Sequence, residues 1–147
     1  MKKLLFCCSC LLALFWVPAA YAVPDALVDK AMQAKSVSEV VTLLGISAPE
    51  PGKRILLEVP EISSAGAKVP VKVLSQIPGT DWIAVLVERN NTPLALVKEF
   101  SPGTDRTVTL TVALTQTSRV RAVVRAGGKY YQVTHEVKVA SDGCPQP

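Results

Sequence analysis

Set aside its first 22 residues and this chain has one cysteine, one histidine and few aromatic side chains, and each shortage excludes something. Cys7, Cys8 and Cys10 lie in an N-terminal apolar run, so Cys144 stands alone and an intramolecular disulfide is excluded. The Cys144 thiol is free, paired with another chain, or modified. One thiolate and one imidazole leave tetrahedral positions unfilled, which argues against a metal site. A nucleophilic pair of Cys144 with His135 would need a tail that folds back and holds its geometry, and nothing after Val139 holds it. No carboxylates cluster at a useful spacing, and no later segment approaches the roughly 20 apolar residues of a membrane-spanning helix. Beyond Ala22, fourteen Lys and Arg face twelve Asp and Glu, spread without aromatic interleaving, a poor footprint for nucleic acid.

What is present begins with an export leader at residues 1–22. Lys2 and Lys3 form a positive start, Leu4 to Val17 an apolar run, and Ala20-Tyr21-Ala22 a small-x-small cleavage site. Cleavage after Ala22 is expected, with Cys7, Cys8 and Cys10 leaving in the leader. No arginine pair precedes the apolar run, so the route expected is general secretion in the unfolded state, to the periplasm and without a preloaded cofactor.

About 125 residues remain, enough for one domain with its own core. Residues 23–52 read as a helical segment and linker. Ser36-Val37-Ser38-Glu39 is a capping-box pattern, Val40, Val41, Leu43 and Leu44 follow, and Gly45 is a natural stop. Asp25 to Ala34 offers a further turn or two, with Asp25 as cap and Leu27, Val28 and Ala31 on one face. Ser47 to Gly52 breaks the pattern, and over residues 53–140 the apolar period becomes two. Arg54–Val59, Lys68–Leu74, Trp82–Glu88, Leu94–Phe100, Thr107–Leu114, Arg119–Ala126 and Lys129–Val139 read as strands, separated by Pro, Gly and Asn turns. The expectation is an all-β, immunoglobulin-like antiparallel sandwich of about seven strands. Pro70 points to an edge strand, because it has no N–H for a ladder bond.

Trp82 to Val87 is apolar at every position, so both faces of that strand want cover. A partner subunit against Trp82, Ile83, Val85 and Val87 supplies it on one reading, and a central strand under a loop supplies it on another. His135 alternates in register with Tyr131, Val133, Val137 and Val139 and reads as a packed or interface histidine, since no second ligand or orienting group accompanies it. Residues 141–147, Ser-Asp-Gly-Cys-Pro-Gln-Pro, are rich in turn formers and hold nothing apolar to bury apart from Cys144. An exposed cysteine in an oxidising compartment tends to react, and from position alone a leftover thiol or interchain disulfide and a working thiol stand level.

Three stretches tip that balance by resemblance. Val59-Pro60-Glu61-Ile62 through Gly66-Ala67-Lys68-Val69-Pro70-Val71 is the first. Arg89-Asn90-Asn91-Thr92-Pro93-Leu94 is the second, and Thr117-Ser118-Arg119-Val120 through Val137-Lys138-Val139 to Gly143-Cys144 is the third. In this order they resemble the SoxY family, the sulfur-carrier subunit of the periplasmic thiosulfate-oxidising Sox system. The resemblance implies a carrier rather than an enzyme. Cys144 would be the substrate-carrying residue, Asp142, Gly143 and Pro145 the flanks of its arm, and a SoxZ-like β-sandwich the partner in a heterodimer, with separate Sox enzymes acting on the cargo. The family's arm carries glycine pairs around its cysteine and its leader paired arginines. Here Asp142, Pro145 and Gln146 stand in the arm instead, which stiffens it.

Overall fold

The computed structural model describes residues 23–140. Two short helices come first, α1 (Asp25–Gln33) and α2 (Val37–Leu43). The capping box forms at α2: Ser36 Oγ accepts from the Glu39 N–H at 3.2 Å, which satisfies one of the donors a helix start leaves free. The Glu39 carboxylate accepts from the Lys35 N–H, one residue ahead of the cap that a reciprocal box would use. Gly45 ends the helix at φ +67°, in the left-handed region where glycine carries no Cβ penalty. Asp25 does not cap α1. Pro24 holds that position without a side-chain bond, and Asp25 lies in the first turn, where its charge suits the helix dipole.

Nine strands follow: β1 (Glu50–Pro51), β2 (Ile55–Glu58), β3 (Ile62–Ser64), β4 (Lys68–Ser75), β5 (Thr80–Val87), β6 (Leu94–Glu99), β7 (Thr107–Ala113), β8 (Ser118–Ala126) and β9 (Lys129–Ala140). They form a sandwich. One sheet runs β1-β9-β8-β5-β6, with β3 also on β9, and the other runs β2-β4-β7. All seven expected strands are present. The two additions, β1 and β3, are too short to show a period, and both lie parallel to β9 along one edge, Glu50 opposite Tyr131 and Ile62 opposite Lys138. The segment expected as a linker thus contributes a strand. Gly52 ties it down by donating to the Gln132 carbonyl at 2.8 Å.

Pro70 is placed differently from expectation. Its strand, β4, is the middle strand of the smaller sheet. The reason a proline is tolerated is that β2 pairs only with Lys72 to Ser75, so Pro70 lies past the end of β2, where β4 has a neighbour on one side only.

Two cores result from one strand. Ile83, Val85 and Val87 of β5 point between the sheets, against Val69, Val71, Val73, Val120, Ala122 and Val124. Trp82, Ala84 and Leu86 point the other way, under the helices, against Ala31, Val40, Leu44 and Val123. An alternating strand has to send successive side chains to opposite faces, and here both faces are covered by this chain. Among the described residues no helix is long and apolar enough to cross a membrane.

Candidate functional site

The C-terminal strand decides where the tail departs. At its end, β9 pairs in parallel with β3 from Lys138 to Ala140. The Lys138 N–H donates to the Glu61 carbonyl at 2.8 Å, and the Val139 N–H donates to Thr117 Oγ1 at 3.0 Å. The last described residues are therefore held from two sides, by β3 and by the turn before β8. Cys144, Asp142, Gly143 and Pro145 lie outside the described residues. Four residues past Ala140, Cys144 lies within about 13 Å of it at roughly 3.3 Å per residue.

Two concavities lie near this corner. The larger is a groove of about 640 Å³ lined by Leu57, Val59, Pro60, Pro70 and Val71, with Glu58, Glu61, Lys72 and His135 among its polar groups. It exists because β2 stops at Glu58 and the chain crosses from one sheet to the other through Val59 to Glu61. That crossing leaves a gap between the unpaired stretch of β4 and β9. His135 faces this gap. It shares a face with Tyr131, Val133 and Val137 as expected, but with no facing strand at its level it is exposed rather than packed within this chain.

The second is a polar recess of about 180 Å³ lined by Glu88, Arg89, Thr117, Ser118, Arg119 and Glu136. Three pieces of chain build it: the residues just after β5, the start of β8 and the middle of β9. Ser118 is buried, and its Oγ accepts from the Arg89 N–H at 3.1 Å, while the Arg89 carbonyl accepts from Gln116 Nε2 at 3.2 Å. Glu88 is held by Arg121. No sequence pattern links these residues, because only the β5 to β8 and β8 to β9 pairings bring them together.

The expected partner surface is corrected. Trp82, Ile83, Val85 and Val87 are all 0% exposed inside this chain, so they offer nothing to a second subunit. Their cover is the opposite sheet on one side and the helical pair on the other, which supersedes both a partner and a loop. Trp82 is further enclosed by Tyr130 and by Arg125, whose guanidinium lies 5.8 Å from the ring centre. Burial opposes the Arg125 charge, but its bond to Asp81 and its contact with Tyr130 outweigh that, and its pKa stays above the ordinary value. Among the described residues no three His, Cys, Asp or Glu side chains gather as a metal would need.

The family model "Sulfur oxidation protein SoxY" matches residues 40–144. The chain belongs to the SoxY family. The match runs from the second helical turn of α2 to Cys144, so both the sandwich and the terminal cysteine fall within it. Among solved structures, the sulfur carrier protein SoxY from Chlorobium limicola f thiosulfatophilum is 30% identical. That match covers 80% of this chain and 99% of that one, with a TM-score of 0.64. The superoxide reductase (neelaredoxin) from Ignicoccus hospitalis is 21% identical over 58% of this chain and 80% of its own, at a TM-score of 0.53. The Reelin-N domain of F-spondin is 14% identical over 78% of this chain and 99% of its own, at 0.50. Beside the SoxY match, these two show a shared sandwich alone. Among curated proteins none matches this chain by sequence.

Proposed function

We propose that this protein is a periplasmic sulfur carrier that holds thiosulfate-derived sulfur covalently on Cys144 and presents it to the enzymes of a Sox-type pathway. The observation that carries this reading is the SoxY match, which ends on Cys144, the one cysteine left after the leader. A protein 30% identical over nearly its whole length, itself described as a sulfur carrier, supports it.

The chemistry asked of the chain is modest. Oxidative joining of thiosulfate to the thiol forms Cys–S–S–SO3⁻, releases one proton and passes two electrons to an acceptor on a separate enzyme. Water then cleaves sulfate from the adduct, leaving a persulfide for further oxidation. Each step needs a thiol that reaches into another protein's cleft, and none needs a base or metal from this chain. In this reading the chain is not an enzyme and binds no cofactor of its own. A SoxZ-like β-sandwich is its partner, on a surface other than the buried strand β5.

The deciding experiment incubates wild-type and Cys144→Ser protein with thiosulfate and the oxidising partner enzymes and weighs the intact chains. The expected result is a thiosulfate adduct on wild-type protein only, with the two melting temperatures nearly equal because a terminal tail contributes little to the core. Adducts on both proteins, or on neither, overturn the carrier reading. A stable disulfide-linked homodimer as the sole form recovered from the periplasm would favour a structural role instead.

A further inference from the structure

We propose that the polar recess of Arg89, Thr117, Ser118 and Arg119 is a docking cradle for the anionic end of the loaded arm, the sulfonate of Cys–S–S–SO3⁻. This rests on the carrier reading above and adds a site to it.

The donor set is the first argument. Ser118 Oγ already accepts from the Arg89 N–H, and Thr117 Oγ1 from the Val139 N–H, so each hydroxyl keeps its own hydrogen to donate. Two guanidiniums add fixed forks of N–H donors suited to a group with several equivalent oxygens. Charge is the second argument. The cluster holds Arg89, Arg119 and Arg121 against Glu88 and Glu136, one positive charge in excess. Arg121 is spent on Glu88. Among the described residues neither Arg89 nor Arg119 has a carboxylate within salt-bridge distance. That excess attracts the negative charge of the adduct.

Reach is the third argument. Thr117 both lines the recess and holds Val139, so the recess adjoins the root of the arm. Glu136, at the far side, lies four residues before Ala140, about 13 Å along the strand, which matches the span from Ala140 to Cys144. Ser141, Asp142 and Gly143 are residues that reverse a chain. The recess volume of about 180 Å³ is room for a sulfonate, set against the roughly 10–15 Å³ of such space that one water needs. The larger groove suits this cargo less well, because Glu58 and Glu61 outnumber its one fixed cation, Lys72, whereas the recess sets Arg89 and Arg119 against its two glutamates.

The test needs no pathway enzyme. Tetrathionate loads the mature protein chemically: the Cys144 thiolate attacks an inner sulfur, Cys–S–S–SO3⁻ forms, thiosulfate leaves and the thiol proton goes to solvent. Nitrogen-15 spectra then follow the Arg89 and Arg119 Nε–Hε signals, assigned with Arg89→Gln and Arg119→Gln proteins. The expected result is that at least one signal moves on loading and returns in 0.5 M salt, where the Debye length falls well below its value of about 8 Å at physiological strength. A neutral carbamidomethyl group on Cys144 should move neither. Independently, a neutral phosphine should strip the adduct from either Gln variant roughly two- to fivefold faster than from wild type, the size expected of a part-exposed ion pair. Unmoved signals with equal stripping rates, or equal shifts from the neutral adduct, overturn the cradle. Because tetrathionate installs the adduct directly, that outcome is distinct from a failure of enzymatic loading, which would overturn the carrier reading itself.

Discussion

Trp82 and Tyr130 meet edge to face, their ring centres 6.1 Å apart and their planes at 82°. The contact joins β5 to β9 across β8 on the outer face of the larger sheet, beneath the helical pair. Aspartate in place of Trp82 would put a charge where the helices exclude water and would empty the space of an indole. The Trp82→Asp protein should lose about 3–5 kcal/mol of unfolding free energy. Urea titration followed by circular dichroism measures it, and a midpoint within error of wild type would show that the helices do not cover this site in solution.

Gly52 predicts a second effect. A Cβ there would collide with the Ile55 side chain and lie 3.1 Å from the Gln132 carbonyl oxygen, the same oxygen that accepts the Gly52 N–H. Gly52→Ala should therefore cost about 1–3 kcal/mol, the usual size of an overpacking defect. Hydrogen exchange should show the loss first as faster opening at Gly52.

The arm predicts a change of rate rather than of stability. Pro145 fixes its own φ and pushes Cys144 toward extended conformations, whereas glycine frees both. Pro145→Gly should speed loading by the oxidising partner enzymes and leave the melting temperature unchanged. Time-resolved intact mass reads the rate. Slower loading would mean that proline at this position is fitted to the chain's own partners.

Export is checked most simply. Protein recovered from the periplasm should have the mass of a chain beginning at Val23, and its thiol titration after full denaturation and reduction should count one cysteine per chain.

Much of this fold was legible in the sequence, because its strands alternate cleanly and its turns carry proline, glycine and asparagine. Val69, Val71 and Val73 pack inward between lysines and a proline, as their spacing implies. The helix from Ser36 was legible because a cap is local chemistry. What pattern could not supply was partnership. Trp82 to Val87 announced cover on both faces, but its source was the opposite sheet on one face and, on the other, this chain's own N-terminal helices some forty residues away, and an apolar strand looks the same whichever body buries it. β1 and β3 escaped notice because two or three residues show no period. The site divided the same way. Cys144 is a candidate that counting alone proposes, while Arg89, Thr117, Ser118 and Arg119 become neighbours only through sheet register.

The parallel pairing of β3 with the last three residues of β9 has a mechanical consequence. It fastens the last described residues, with Thr117 as a second bolt, to the edge of the larger sheet. A tether whose anchor is hydrogen-bonded on both sides has its reach set by residue count. Each residue inserted before Cys144 should lengthen that reach by at most about 3.3–3.6 Å, so under the proposed carrier role the four residues from Ser141 to Cys144 limit the depth of any cleft the thiol could enter.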